Sequence, residues 1–350
     1  MSRDAVKSGS QLKGMLLLVL LVLCSYWIFI DTYRINAFNI VPHDDYAPYL
    51  LYIVGEDGGK MPGSPFAYRA LSVAVAVPFY YVVPVYKFSL LEDIDTEYLR
   101  AIGALAMVSY LSILISCVLI FLIVTRQFRG SASAGLVGAL GTVLLMQFSG
   151  YKGVDPVAIM LICLLIYNSR NLAVFAVLIL LSAGFNEKIS LVFSIAMTAR
   201  YIFAREQRVL PYAALSITAF GICLLARVVI EIPGNEHQMQ VQSFISNALA
   251  NIGNLVSLKR FILEIVPVTT ISILCVLAVK EHRENTAVYG RYFSVTDVSV
   301  LIGYVLVMLA VGVRYNTGRL VMFCAPFYIP LAAIHIERLA RGLRPASSLP

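Results

Sequence analysis

The stretch LRAIGALAMVSYLSILISCVLIFLIVT, at residues 99–125, contains a single charged side chain, that of Arg100. The hydrocarbon core of a bilayer is about 30 Å thick, and a helix of about 20 apolar residues crosses it. Residues 99–125 are therefore predicted to span a membrane, and this prediction sets the fold class of the whole chain.

Composition supports the same class. Of the 350 residues, 59% are hydrophobic and 13% are charged, whereas a soluble domain carries about 25% charged residues. The six cysteines all fall inside apolar runs without a C-x-x-C pair. We interpret them as small buried side chains rather than disulfides or metal ligands. Because no polar stretch is long enough for a soluble domain, residues 1–350 are predicted to form one all-α transmembrane domain.

The length criterion predicts about ten transmembrane helices along the chain. They are placed near residues 15–31, 99–125, 132–149, 153–168, 171–186, 188–204, 211–230, 262–279, 297–313 and 320–336. Basic residues precede the first run and no small-x-small cleavage site follows it. This pattern favours an uncleaved signal anchor over a signal peptide.

Residues 68–86 are also apolar, but Pro78 and Pro84 interrupt them. If they crossed the membrane, the acidic stretch 92–95 would be cytoplasmic, against the positive-inside rule. We expect this run to lie on the membrane or to re-enter it. With both chain ends in the cytoplasm, that side receives 15 of the 27 basic and six of the 20 acidic residues. The net charge of +7 then reflects orientation, and nucleic acid is not expected as a partner.

This topology leaves two long outer segments, residues 32–98 and 231–261. Charges at or inside a membrane are costly and are retained for a reason. The unusual charged residues of the chain converge on the outer side. They are His43, Asp44, Asp45, Arg69, Lys152, Asp155, Glu187, Lys188, Arg314 and Arg319. Their convergence predicts a functional site at the outer face.

Several of these residues have a structural alternative. Asp155, followed by proline, is typical of a helix start, and Asn186 can cap the next span, with Glu187 favourable near its positive end. Lys152 can be interfacial, and the arginines can extend to lipid headgroups.

The acidic pair Asp44-Asp45 is harder to explain as a cap, because a cap needs one carboxylate. Asp45, Tyr49 and Tyr52 stand at i, i+4 and i+7, on one helical face. A carboxylate flanked by aromatic rings can accept a proton while the rings pack on a sugar or a lipid. Arg69 can grip a phosphate bidentately. These residues indicate a general base beside a phosphate-bearing lipid, with nearby cations stabilising the leaving phosphate.

The pattern resembles the C-type glycosyltransferases, the GT-C superfamily of multi-span enzymes that use polyprenyl-phosphate sugars. Asp45-x-x-x-Tyr49 is similar to the family's aspartate followed by an aromatic residue, and residues 65–69, Pro-Phe-Ala-Tyr-Arg, to the Y-R segment of bacterial members. Asn186-Glu187-Lys188 is similar to an acidic–basic pair at a span start, in reversed order, and Gly318-Arg319 to a late G-R motif.

The resemblance implies an inverting glycosyltransferase of the bacterial inner membrane, with membrane-lying helices in its first outer loop. It would move a sugar from a polyprenyl-phosphate donor to a lipid-linked or envelope glycan acceptor. Asp45 or Asp44 would be the general base. The substrate and the donor phosphate would be bound by Arg69, Arg314, Arg319, Lys188, Glu187, Asp155, Tyr49 and Tyr68. No cofactor is required and no metal ligand is assigned, although a divalent metal is possible beside the acidic pair.

Other functions fit the same residues. A transporter or flippase of an anionic lipid-linked sugar would need charges deeper in the membrane and often shows inverted repeats; Arg227 and Glu264 are the residues that favour it. A polysaccharide polymerase or acyltransferase acting on the same carrier, and a non-catalytic membrane subunit, are further alternatives.

Overall fold

The computed structural model describes residues 46–57, 59–61, 69–85, 95–148, 155–203, 205–229, 265–285 and 321–342, together with residues 26, 29, 30, 33 and 249. In these ranges the chain is mostly helical and contains no strand. The prediction of an all-α protein is confirmed for this part of the chain.

Of the helices whose bounds lie in the described ranges, the first three are short: α1 Ala47–Val54, α2 Ala70–Ala74 and α3 Val77–Tyr80. The long apolar helices follow as α4 Thr96–Leu122, α5 Ala132–Phe148, α6 Asp155–Tyr167, α7 Leu172–Phe185, α8 Glu187–Phe203, α9 Leu210–Val229, α10 Val266–Glu284 and α11 Ala325–Ala340. A π-helical turn, Ile123–Gln127, extends α4, and 3₁₀ turns at Gln207–Val209 and Met322–Cys324 precede α9 and α11.

Among the described residues, two helical segments are long and apolar enough to cross a membrane, Thr96–Gln127 and Gln207–Ala226. The helices Ala132–Met146, Asp155–Tyr167 and Leu172–Phe185 are apolar but shorter. Eight predicted spans coincide with α4 to α11 within a few residues. The largest differences are at α10, which begins four residues and ends five residues later than predicted, and at α11, which begins five and ends four residues later. The predicted span 297–313 lies outside the described ranges, and of the predicted span 15–31 only residues 26, 29 and 30 are described.

The ambiguous run forms α2 and α3, with Pro78 inside the second helix. The apolar helical part covers Ala70–Tyr80, which rises about 16 Å at 1.5 Å per residue. That is about half of a 30 Å hydrocarbon core. This length agrees with a segment that lies on a membrane or enters it partway.

The core of the bundle is α4, which packs against α5 and α6. Small residues allow the close approach of α5, because a Cβ at Gly135 would lie 2.6 Å from the Phe121 ring and one at Gly138 would lie 3.0 Å from Ile120. By contrast, α7 and α9 expose large apolar side chains. Val177 is 59% exposed and Leu225 is 62% exposed, which suits a surface covered by lipid.

Side-chain contacts divide the bundle into two ends, which we name after their buried charges. At the Arg69 end, Arg69 meets Glu187 at the start of α8, and Tyr80 meets Glu97 at the start of α4. At the Glu281 end, the close of α10 meets the close of α11 through Glu281 and Arg338. The α4–α5 turn lies there too, since Ser131 donates to Glu337 on α11 at 2.5 Å. The α6–α7 turn adjoins it, since Gln127 donates to the Tyr167 carbonyl at 2.6 Å.

Candidate functional site

The centre of the Arg69 end is a bidentate ion pair between residues 118 positions apart. Arg69 Nε donates to Glu187 Oε2 at 3.1 Å and Nη2 to Oε1 at 2.5 Å. Its Nη1 donates to the hydroxyl of Tyr46 at 3.1 Å. The Arg69 side chain is 5% exposed and that of Glu187 16%. The pair therefore ties the first predicted outer segment to the start of α8.

Burial alone would lower the Arg69 pKa, but the charge of Glu187 and the hydrogen bonds outweigh it and raise this pKa well above its usual range. The guanidinium therefore stays charged, and its two paired edges make it a fixed positive anchor.

Helix α2 docks on the end of α7 in the same region. Ser72 donates its hydroxyl to the Phe185 carbonyl at 2.6 Å, which satisfies one of the last carbonyls of α7. Leu71 lies over Gly184, where a Cβ would stand 2.5 Å from Leu71 Cδ1. Any larger residue at Gly184 would require the Leu71 side chain to move away from α7.

A single residue, Asn186, joins α7 to α8. It has an extended backbone, with φ −165° and ψ 120°, and it is fully buried. Its Oδ1 accepts the backbone N–H of Lys188 at 3.1 Å, which confirms the predicted cap. Its Nδ2 has no hydrogen-bond partner among the described residues. A buried donor without an acceptor costs about 1–3 kcal/mol, so this amide needs an explanation.

Lys188 lies beside the 3₁₀ turn that precedes α11. Its Nζ is 5.4 Å from the centroid of the Phe323 ring, a cation–π distance. Glu187 and Lys188 thus point to different partners, the first to Arg69 and the second towards Phe323. Phe323 follows the predicted G-R motif by four residues.

The aromatic face predicted for α1 is divided. Tyr49 is 4% exposed, whereas Tyr52 is 51% exposed. The pKa of the Tyr49 phenol is raised above its usual value, mainly by burial and to a smaller extent by the neighbouring Tyr52. The two rings therefore do not offer one accessible surface, and Tyr46 is the aromatic residue that contacts the ion pair.

Of the other predicted site residues, the structure describes Asp155. Asp155 begins α6 and is buried, at 2% exposure. Those outside the described ranges are Asp44, Asp45, Tyr68, Arg314 and Arg319, together with the flanking His43 and Lys152.

A narrow apolar pocket lies one to two helical turns below the Arg69 end. It is lined by Thr142, Met146, Ile159, Cys163, Met322 and Pro326, among others. Ile159 is one turn beyond Asp155, and Met322 adjoins Phe323. Polar and apolar surfaces therefore adjoin at this end of the bundle.

Sequence reasoning missed a second polar group at the Arg69 end. Tyr80, 1% exposed, donates its hydroxyl to Glu97 at 2.5 Å, and Arg100 pairs with the same carboxylate at 2.8 Å. The spacing of Glu97 and Arg100, three apart on one helix, was the available signal. This group fixes α3 to the start of α4.

Sequence reasoning also missed the buried cluster of the Glu281 end. Glu281 is 0% exposed and accepts three contacts: Arg338 Nη2 at 2.6 Å, Asn285 Nδ2 at 3.1 Å and His335 Nδ1 at 3.1 Å. Because the predicted span stopped at residue 279, Glu281 lay outside every predicted helix and was not singled out. The sequence signal was the amphipathic end of α10, where Glu281 follows Ala278 on the buried side.

Within the described ranges, Glu281, Glu284 and His335 have donor atoms within 4.8 Å of one another, a spacing that a metal ion could use. Arg338 already occupies this position, with Nη2 at 2.6 Å from Glu281 and Nη1 at 3.7 Å from Glu284. Its charge does what a cation would do there, so we interpret the group as an ion-pair cluster. The metal considered beside Asp44 and Asp45 falls outside the described ranges.

Comparison with protein-family models, curated proteins and solved structures finds no match to this chain.

Proposed function

We propose that this protein is a membrane glycosyltransferase that transfers a sugar from a polyprenyl-phosphate donor to a lipid-linked or envelope glycan acceptor. The observation that carries the proposal is the buried pair Arg69–Glu187. It supports a site at which the segment that follows Asp44-Asp45 meets the Glu187-Lys188 helix start. A purely structural outer loop would not need a charge pair at 5% and 16% exposure, since desolvating two charges is costly.

The proposal includes ten spans in a bacterial inner membrane, with both chain ends in the cytoplasm. In that orientation the Arg69 end faces outwards and the Glu281 end inwards. The grouping of helix starts and ends supports it, because the basic residues Arg126, Arg200 and Arg338 all belong to turns or helix ends of the Glu281 end. Basic residues are enriched on the cytoplasmic side of membrane proteins.

The proposed chemistry is a single displacement at the anomeric carbon. Asp45 or Asp44 removes the proton of the acceptor hydroxyl, whose oxygen forms the new glycosidic bond. The bond from the anomeric carbon to the phosphate oxygen breaks, and polyprenyl phosphate leaves with the electron pair. Because the acceptor oxygen attacks from the opposite face, the configuration of the anomeric carbon is inverted. Lys188, Arg314 and Arg319 stabilise the charge of the leaving group. Arg69, already paired with Glu187, positions this end of the bundle.

The cluster at the Glu281 end favours one alternative, a transporter or flippase of a lipid-linked sugar. Buried ionisable residues in a membrane bundle often mark a transport pathway, and Glu281 with His335 and Arg338 is such a group. A flippase would move the donor across the bilayer without breaking the bond to the phosphate.

The test is transfer by the purified protein in nanodiscs, from a panel of radiolabelled polyprenyl-phosphate sugars. Wild type is compared with Asp44→Asn and Asp45→Asn, each with and without a chelator. Asp57→Asn is the matched control, because Asp57 is an exposed acidic residue that follows α1. A general base contributes about 10²–10⁴-fold to rate, so one of the two variants should lose at least about a hundredfold. Movement of the donor between leaflets without any transfer would instead establish the flippase.

A further inference from the structure

The unpartnered amide of Asn186 points to a ligand. Its Nδ2 is buried and meets no acceptor among the described residues, while its Oδ1 caps α8. A cap needs only the oxygen, since serine, threonine and aspartate serve equally well. The nitrogen is therefore surplus to the structural role of this residue and carries an energetic cost without a structural gain.

The neighbours of Asn186 indicate what that ligand carries. The residue stands at the N-terminus of the 17-residue helix α8, where the backbone dipole favours negative charge. The next carboxylate, that of Glu187, has both oxygens engaged by Arg69, which reduces its repulsion of an anion. Lys188, two positions after Asn186, adds a positive charge to the same helix start, with its ammonium beside the Phe323 ring. An amide donor, a helix N-terminus and a cation together suit a phosphate oxygen.

We infer that Asn186 is a phosphate-binding residue whose Nδ2 donates a hydrogen bond to a phosphate oxygen of the polyprenyl carrier. The inference rests on the proposed function and extends it to a residue that capping alone would otherwise explain. Because Nδ2 is closed off from solvent, side chains around the α7–α8 joint move as the phosphate enters. Binding then gives the amide the acceptor that it lacks.

Two substitutions separate the cap from the donor. Asn186→Ser and Asn186→Asp both keep a side-chain oxygen for the Lys188 N–H and both remove Nδ2. The matched control is Asn171→Ser, because Asn171 caps α7 through Oδ1, accepting from Ala173 and Val174 at 3.1 and 3.2 Å, on the exposed surface. All variants are prepared as full chains in nanodiscs, and their affinity for undecaprenyl phosphate is measured beside that for uncharged undecaprenol.

Asn186→Ser should bind undecaprenyl phosphate at least about tenfold more weakly than wild type, and Asn186→Asp more weakly still because it adds a like charge. Undecaprenol affinity should not change, and Asn171→Ser should match wild type for both lipids. Without ligand, Asn186→Ser should melt at or above the wild-type temperature, because it no longer buries an unsatisfied donor. A purely structural asparagine would give the opposite, a lower melting temperature with unchanged affinity.

The outcomes also separate this inference from the proposed function. Wild-type phosphate affinity in Asn186→Ser, with sugar transfer intact, overturns the role of Asn186 and leaves the transferase standing. Weakened phosphate affinity in a protein that transfers no sugar supports the role of Asn186 and overturns the transferase. A wild-type protein that binds undecaprenyl phosphate no better than undecaprenol overturns both.

Discussion

The two ends of the bundle bury charge in different ways. At the Glu281 end one fully buried carboxylate accepts hydrogen bonds from Arg338, His335 and Asn285, while His335 Nε2 and Arg338 Nη1 have no hydrogen bond among the described residues. At the Arg69 end the pair with Glu187 is partly exposed, and the adjacent Asn186 keeps a donor without an acceptor. Both ends thus keep a buried polar atom without a hydrogen bond, and they differ in the surroundings of that atom. The Glu281 end centres on a 0% exposed carboxylate that its neighbours neutralise, whereas the Arg69 end combines a helix N-terminus with a carboxylate that is 16% exposed. From this difference we expect substitutions at the Glu281 end to change mainly stability and substitutions at the Arg69 end to change mainly ligand binding.

The largest effect on stability is expected at Glu281. Glu281→Ala leaves Arg338, His335 and Asn285 buried without their shared acceptor, and breaking a buried ion pair costs about 3–5 kcal/mol. Unfolding in mixed detergent measures the loss. Ligand binding at the Arg69 end, normalised to folded protein, should be unchanged.

Glu284→Ala is the matched control, because Glu284 stands nearby on α10 but is partly exposed and lies 3.7 Å from Arg338. It should cost under about 1 kcal/mol. Equal losses for the two variants would show that the cluster does not depend on Glu281.

A smaller loss of stability, but a full loss of function, is expected at the Arg69 end. Arg69→Ala or Glu187→Ala should each cost about 3 kcal/mol, the low end for a buried pair, because Glu187 is partly exposed. The double variant Arg69→Met with Glu187→Leu should regain most of that stability, since apolar replacement of both partners is often neutral.

Activity provides the distinguishing measurement for this pair. If the ion pair positions a catalytic site, the double variant stays inactive although it is folded. A double variant that recovers both stability and sugar transfer would reduce Arg69–Glu187 to a structural contact and weaken the distinction between the two ends.

The smallest effect concerns pH at the Glu281 end. Burial, and then the nearby charge of Arg200, lower the pKa of His282 below its usual 6.5. As pH falls from about 6.5 towards this lowered pKa, the unfolded chain gains a proton that the folded protein resists, so stability decreases. His282 is partly exposed, so the loss should stay under about 1 kcal/mol.

The difference in melting temperature between pH 7.5 and pH 5 isolates this residue when wild type is compared with His282→Gln. The variant should show a shallower decrease because it has no proton to gain there. Parallel curves would assign the pH dependence to other groups, and the carboxylates of both ends would be examined next.

The sequence predicted the positions of the helices better than it predicted which side chains contact one another across helices. Apolar runs and caps placed α4 to α11 within a few residues, and Asn186 was expected to cap α8. The ion pair between residues 69 and 187 could not be predicted, because it forms through tertiary packing and hydrophobic periodicity carries only local information. The contacts of Arg69 with Glu187 and Tyr46 were therefore not predicted, and its role as a phosphate ligand stays a prediction. Glu281 was missed for a related reason, since hydropathy cannot distinguish a helix end that packs from one that is solvated.

The single-residue joint between α7 and α8 also limits how this chain can change in length. Each residue of an α-helix turns it by about 100°, so inserting or deleting one residue beside Asn186 would rotate the start of α8 by that angle. Glu187 would then face away from Arg69, and Lys188 away from Phe323. Variants with one residue inserted or deleted at this joint should therefore lose function although they keep every helix. The same insertion after Phe203, between α8 and α9, should be tolerated.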